Sequence, residues 1–271
     1  MGATIAPVMV ALVAGNFGWR WVFAVTPVFA GMWMVLWFYF YPRPAKQPVM
    51  TGQEGFLPAS MVAAPSPKES ELALWKRVLS EPLVWQLMLA RLITDPVWYF
   101  FQFWFPKYLQ NVHGLQQKDV GIMWMIFAAA TIGFVLGGFL SGRLVKRGST
   151  PATARISIML ISAVLVPLVG FVPGMPSVMG AVGIAMVVAY AATAWLSNIT
   201  SLVVDLVPQH ILGTAFGVIA CGSALGGFFM NKAVAWLIDH RSYDDSFYIM
   251  AVLHPVALLL VWRLRKRPSA V

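Results

Sequence analysis

An arginine and an aspartate, Arg91 and Asp95, lie four residues apart in a segment that is otherwise apolar. Residues at this spacing share one face of a helix, so the two side chains can pair and neutralise each other. Because ionisable groups are costly inside a membrane, such a pair suggests a functional site. Two interpretations stay open: a structural pair with Arg91 reaching toward the membrane surface, or a charge relay or gate. We expect structure combined with gating, because Arg91 lies only about two turns from the segment's start at Pro82.

Three residues further along the same segment have the chemistry to hold a solute. Trp98 and Tyr99 offer flat rings for a sugar ring, and Gln102 lies one turn beyond Trp98 with an amide that can read hydroxyl groups. Asn198, in a later apolar segment, carries the same amide donors and acceptor. We predict that these four residues bind substrate. The alternatives are a lipid-facing aromatic belt for some of the rings and interhelical hydrogen bonding for the polar residues around Asn198.

The composition indicates a membrane protein made of helices. Of the 271 residues, 59% are hydrophobic and 11% are charged, against roughly 25% charged in ordinary soluble domains. The net charge of +9 is spread over loops rather than along one polar face, which argues against nucleic acid as a partner. The single cysteine, Cys221, excludes a disulfide within the chain and a cysteine metal cluster. We expect no metal and no cofactor.

Apolar segments of nearly sufficient length to cross a bilayer predict about eight transmembrane helices. They are 2–14, 21–41, 83–105, 120–141, 153–172, 177–203, 211–237 and 246–263. Residues 42–82 are rich in proline and are predicted to form a mobile linker, with two spans before it in 1–41 and a six-helix bundle after it in 83–271. The predicted fold class is therefore an all-α polytopic membrane protein.

The basic residues are distributed unequally between the two sides of the predicted membrane. One side receives 13 of the 19 lysines and arginines, in the linker, the 142–152 loop, Arg155 and the C-terminal tail, whereas the other side receives 4. The positive-inside rule therefore places the linker and the C-terminus in the cytoplasm.

His254 is the one histidine inside a predicted span. We expect a neutral, hydrogen-bonded core residue, with a group that titrates near neutrality as the alternative. The sequence has no nucleophile paired with a base, no phosphate-binding loop and no paired catalytic carboxylates, so an enzyme is not expected.

Four sequence patterns together resemble a known family. The 138–148 loop is similar to the loop signature of the major facilitator superfamily at Gly138, Arg143, Lys146 and Arg147, although ordinary positive-inside anchoring would produce much of this pattern. Residues 18–23, 94–108 and 205–214 resemble the anion:cation symporter branch of that superfamily, and the hexuronate transporters within it.

The resemblance implies a fold of twelve helices in two bundles, of which this chain corresponds to helices 5–12. It implies a secondary active transporter for a small organic anion such as a hexuronate, working by proton symport and alternating access in the bacterial inner membrane. The four missing helices include residues that the family is thought to use for proton coupling, so this chain is expected to need them for transport. The alternative is a truncated, non-transporting fragment or a structural or interaction protein in the lipid bilayer.

Overall fold

The computed structural model describes residues 2–41 and 70–267, and ten α-helices contain most of these residues. Their bounds are α1 Gly2–Phe17, α2 Trp19–Phe40, α3 Glu71–Ser80, α4 Pro82–Phe103, α5 Phe105–His113, α6 Trp124–Lys146, α7 Pro151–Leu165, α8 Val178–Leu206, α9 Leu212–His240 and α10 Tyr243–Val261. Four 3₁₀ helices connect or extend them, at Gln117–Met123, Val166–Gly174, Gln209–Ile211 and Trp262–Lys266. These two ranges contain no β-strand, which confirms the predicted all-α class.

Six stretches of the described chain are long and apolar enough to cross a membrane. They are Trp19–Phe40, Asp119–Lys146, Pro151–Gly174, Val178–Leu206, Gln209–His240 and Tyr243–Arg265. The other two predicted spans correspond to α1, which has 16 residues, and α4, which has 22 residues but carries Arg91 and Asp95. At 1.5 Å per residue α4 is about 33 Å long, enough to cross the hydrocarbon core.

Two apolar clusters stack along the bundle formed by α4 to α10. The first contains Phe100, Phe105, Tyr108 and Phe247, and the second contains Leu87, Ile156, Trp195 and Ile199. Between them lies a level at which three helices carry a buried polar residue: Asp95 on α4, Thr193 on α8 and His254 on α10. The bundle therefore has a polar layer between two apolar ones.

A close contact between α4 and α9 depends on glycine. A Cβ atom on Gly222 would meet the carbonyl oxygen of Met88, and one on Gly226 would meet the carbonyl oxygen of Leu92. The Leu92 oxygen lacks its helical donor, because Pro96 four residues later has no N–H. The glycine allows the α9 backbone to approach this free carbonyl, a contact that a side chain would prevent. The neighbouring Cys221 is exposed.

The N-terminal helices pack on one side of this bundle. α1 contacts α6 and the 3₁₀ helix Gln117–Met123, and the hydroxyl oxygens of Thr4 and Thr131 are 3.1 Å apart. α2 contacts α1 and has no buried residue, although its composition is strongly apolar. Its surface is suited to lipid or to further apolar helices.

The prediction of a mobile linker over 42–82 is wrong for its last part. Residues 71–80 form α3, whose N-cap Ser70 accepts a hydrogen bond from the Ala73 amide. Val78 is fully buried, and the Arg77 guanidinium lies 3.1 Å from His210 Nε2. The prediction weighed the prolines of the whole segment and overlooked the single apolar face of this helix. The rest of the predicted linker, 42–69, lies outside the described residues.

The α4–α9 contact predicts opposite effects for two glycine-to-alanine changes on α9. Gly226→Ala should lower the free energy of unfolding by about 1–3 kcal/mol, because the new methyl group forces the two backbones apart. Gly217→Ala is the matched control, since a Cβ atom there has no neighbour within 4 Å. It should leave stability unchanged or raise it by up to about 1 kcal/mol through helix propensity. Unfolding followed by circular dichroism during detergent titration measures both, and equal effects would contradict the close approach.

Candidate functional site

A cavity of about 240 Å³ lies at the polar level of the bundle. This volume would hold roughly eight water molecules, at about 30 Å³ each in the liquid. Four helices line it: α4 with Arg91, Thr94, Asp95, Trp98, Tyr99 and Gln102, α8 with Ala192, Trp195 and Leu196, α9 with Ser223 and α10 with His254. Five of the residues that the sequence predicted as site or gate are therefore brought together around one space.

Arg91 and Asp95 form the predicted ion pair on this wall. Arg91 Nη2 lies 2.8 Å and Nε lies 2.9 Å from Asp95 Oδ2, so both nitrogens donate to the same oxygen. The side chains are only 13% and 8% exposed. Each side chain neutralises the charge of the other, and either charge alone would be costly in a low-dielectric interior.

Tyr99 is held in place by α9. Its ring lies where a Cβ atom on Gly227 would otherwise be, and its hydroxyl is 3.1 Å from the hydroxyl of Ser223. Gly227 and Ser223 are four residues apart and thus on the same face of α9. The small residue makes room for the ring, and the serine fixes its outer end.

Trp98 and Gln102 occupy the wall next to Tyr99. The Trp98 ring makes an edge contact with Phe127, with centroids 5.6 Å apart. Gln102 is partly buried, and no residue in the described part of the chain hydrogen-bonds to its amide. Its donor and acceptor are therefore available to a solute.

Asn198 is not brought into this cavity. It is fully buried, and its Nδ2 donates to the Ala194 carbonyl oxygen at 2.8 Å within its own helix. Its Oδ1 has no hydrogen-bond partner among the described residues. It lies three residues from Trp195 but is not itself among the residues that line the cavity. Its role in substrate binding stays a prediction.

The sequence analysis did not assign Trp195, Ser223, Thr94 or His254 to the site. Trp195 carries no signal in sequence because it lies in an ordinary apolar run. His254 is buried as predicted, but the predicted hydrogen bond is absent: Nδ1 has no partner within residues 2–41 and 70–267. Its neighbour is the Trp195 ring, whose centroid is 5.1 Å away.

The loop motif lies at the end of α6, away from the cavity. Arg143 and Lys146 are in the last helical turn, where cations favourably meet the helix dipole. Gly148 has a φ of 95°, and the amides of Gly148 and Ser149 donate to Val145 and Leu144, which is a Schellman ending. A Cβ atom on Gly138 would have no neighbour within 4 Å, and Arg147 is the C-cap residue of α6.

Beside this loop, an arginine joins three helices. Arg155 on α7 donates through Nε to Asp205 on α8 at 3.1 Å and through Nη1 to the Ser141 hydroxyl on α6 at 2.6 Å. The three residues are far apart in sequence, so their pairing gave no local pattern.

The described residues contain no group of three His, Cys, Asp or Glu side chains that could hold a metal ion.

The family model of the Major Facilitator Superfamily matches residues 1–231 of the chain. Among curated relatives, the chain is 23% identical to the hexuronate transporter of Escherichia coli K12 over 275 residues, covering 100% of this chain and 63% of the relative. It is 27% identical to the D-galactonate transporter of Escherichia coli O6:H1 over 256 residues, covering 86% of this chain and 56% of the relative. The chain thus spans about three fifths of the length of these relatives.

Among solved structures, the chain is similar to a bacterial homolog of the human lysosomal transporter Spinster, in an inward-facing and unoccupied conformation. The TM-score is 0.59 at 17% identity, and the match covers 98% of this chain and 64% of that chain. At this identity the likeness bears on the fold.

The buried ion pair predicts a strong asymmetry between single and double substitutions. Arg91→Met should lower the free energy of unfolding by about 3–5 kcal/mol, because it leaves the Asp95 carboxylate buried without a partner. Arg91→Met combined with Asp95→Leu should recover most of that loss, and unfolding of the purified protein measures both.

An exposed pair with the same spacing provides the control. Arg241 and Asp245 are four residues apart at 3.7 Å, with the arginine 66% exposed. Because solvent screens such a pair, Arg241→Met should cost less than about 1 kcal/mol. A loss in Arg91→Met as small as that in Arg241→Met would mean that the inner pair is hydrated.

Proposed function

Since the chain belongs to the Major Facilitator Superfamily, we propose that it is part of a secondary transporter that moves a small organic anion, a hexuronate or a related sugar acid, across the cell membrane. The observation that carries this proposal is the cavity on α4, where Trp98, Tyr99 and Gln102 face a common space beside Arg91. The names of the relatives supply the acidic class of solute, because hexuronate and galactonate are both sugar acids.

The side chains of this wall match the parts of a sugar acid. The rings of Trp98 and Tyr99 can stack on the C–H face of a sugar ring, and the Gln102 amide can exchange hydrogen bonds with hydroxyl groups. Arg91 has further N–H groups beyond the two that Asp95 accepts, and they can donate to a carboxylate. Since Asp95 neutralises much of the arginine charge, we infer that the wall is selective for shape and hydroxyl pattern as well as charge.

Transport by alternating access requires a second wall that closes over the solute. α1 packs on α6, α2 packs on α1, and the cavity wall of α4, α8, α9 and α10 is left without an opposing bundle among the described residues. We infer that further helices complete the site and that a proton gradient drives uptake. A chain that does not transport by itself is the second candidate function, favoured by its coverage of about three fifths of the relatives.

Uptake into proteoliposomes tests this function. The chain extended at its N-terminus by the four preceding helices of a hexuronate transporter should accumulate radiolabelled galacturonate when the outside is acidified. The chain alone should bind the acid weakly and accumulate none, because one wall cannot occlude it. Proton-driven accumulation by the chain alone would contradict the need for more helices.

Within the extended protein, Gln102→Met should weaken affinity for the acid roughly twofold to tenfold, because it removes a hydrogen bond to a hydroxyl group, worth about 0.5–1.5 kcal/mol. Gln110→Met is the control, because Gln110 donates to Gln117 at 2.7 Å at a distance from the cavity. Unchanged affinity in Gln102→Met would remove this residue from the site, and the same result in Asn198→Leu would remove Asn198.

We also propose that the C-terminus and residues 42–69 face the cytoplasm, since 13 of the 19 basic residues fall on that side of the predicted topology. Alkaline phosphatase fused after Val271 should be inactive and green fluorescent protein at the same place should fluoresce. A control fusion in the 113–118 turn should give the reverse pattern. Phosphatase activity at Val271 would overturn the assignment of sides.

A further inference from the structure

The polar groups of the cavity fall into two sets. In the first set, every group has a partner within the protein: Arg91 with Asp95, the Tyr99 hydroxyl with that of Ser223, and Thr94 with the Ala90 carbonyl oxygen at 2.9 Å. In the second set, no partner exists among the described residues. Its members are Gln102, Trp195 and His254.

The second set includes two polar atoms that are buried without a hydrogen-bond partner, which is costly for the stability of the fold. Trp195 is 0% and His254 is 1% exposed, and the atoms Trp195 Nε1 and His254 Nδ1 each expose less than 1 Å². A buried polar atom without a partner destabilises the folded protein, and the great majority of such atoms are paired. Both residues line the same cavity, but neither atom is exposed to it in this conformation, so a partner in the cavity reaches them only after the rings turn.

The chemistry of the two rings defines this partner. An indole N–H only donates, so Trp195 requires an acceptor, and an imidazole can donate from one nitrogen and accept at the other. A carboxylate oxygen or a hydroxyl oxygen fulfils both requirements. The last side-chain torsions of histidine and tryptophan are broad and roughly two-fold, so the proposal requires both rings to turn their nitrogens toward the cavity when a solute enters.

We propose that His254 and Trp195 form an inner subsite that binds a carboxylate or hydroxyl oxygen of the solute. This subsite lies on α8 and α10 rather than on α4, and it offers an indole N–H and an imidazole ring to the solute. The proposal deepens the proposed function and rests on it, because it assigns a binding role to α8 and α10 within the same sugar acid site.

Histidine resonances in nanodiscs test the subsite directly. The chain has four histidines, so uniform ¹⁵N-histidine labelling gives few signals, and His254→Phe assigns the one in question. Adding galacturonate should shift the ring nitrogens of His254. His254→Phe should weaken binding roughly tenfold to a hundredfold, the range for a hydrogen bond to a charged group. His254→Asn should keep most of the affinity, because its amide lies about as far from Cβ as Nδ1 does.

Ser246→Ala is the matched control for burial. Ser246 is on the same helix, is fully buried, and its Oγ also lacks a partner in the described chain. It lies eight residues from His254, about 12 Å along the helix, and does not line the cavity. Binding by Ser246→Ala should equal that of the unmodified chain, and thermal unfolding checks that every variant is folded.

The outcomes separate the subsite from the proposed function. Binding that depends on Gln102 but leaves the His254 signal and the affinity of His254→Phe unchanged would overturn the subsite and keep the sugar acid site. If no sugar acid binds, the proposed function fails in this cavity. The subsite then stands only if a neutral polyol such as inositol shifts the His254 signal, and it falls if no oxygen compound does.

Discussion

The contact between α4 and α9 determines the geometry of the whole site. Three glycines of α9 remove the side chains that would separate the two helices, and α4 is thereby held with its polar face toward the bundle interior. Pro96 contributes to the same contact, because it frees the Leu92 carbonyl that α9 approaches. If α4 were displaced outward or turned, the ion pair, the Tyr99 ring and the Gln102 amide would no longer share one cavity with α8 and α10.

The cavity lies where it does because two apolar clusters leave a polar layer between them. Leucine, isoleucine and phenylalanine fill the bundle on both sides, and Asp95, Thr193 and His254 interrupt that packing at one depth. Thr193 satisfies its hydroxyl by reaching the Ala130 carbonyl oxygen of α6 at 2.7 Å. The other polar groups face open space or pair along it. The buried aspartate and the buried histidine thus lie in one layer between the apolar clusters, whereas buried serines such as Ser141 and Ser246 lie outside it.

The sequence predicts the fold class well, because membrane spans are long, apolar and separated by charged loops. It also predicts the α4 side of the cavity, since Arg91, Asp95, Trp98, Tyr99 and Gln102 are close in sequence and helical periodicity places them together. The α8, α9 and α10 side was not predicted. Trp195 looks like any core residue, and Ser223 gains its role through its contacts with Tyr99 and Asp95 on α4. The pairing of Arg155 with Asp205 joins residues 50 positions apart. Asn198 was predicted from its residue type alone, and it is not among the residues that line the cavity.

Cys221 has a practical consequence for the study of this chain. It is the only thiol in 271 residues, it is exposed, and it immediately precedes the glycine at which α9 meets α4. A maleimide spin label or fluorophore therefore attaches at one defined position without prior removal of other cysteines. Its spectrum would report on changes in mobility and environment beside this contact as a solute enters, and its reactivity toward membrane-impermeant reagents would report on its access to water from either side.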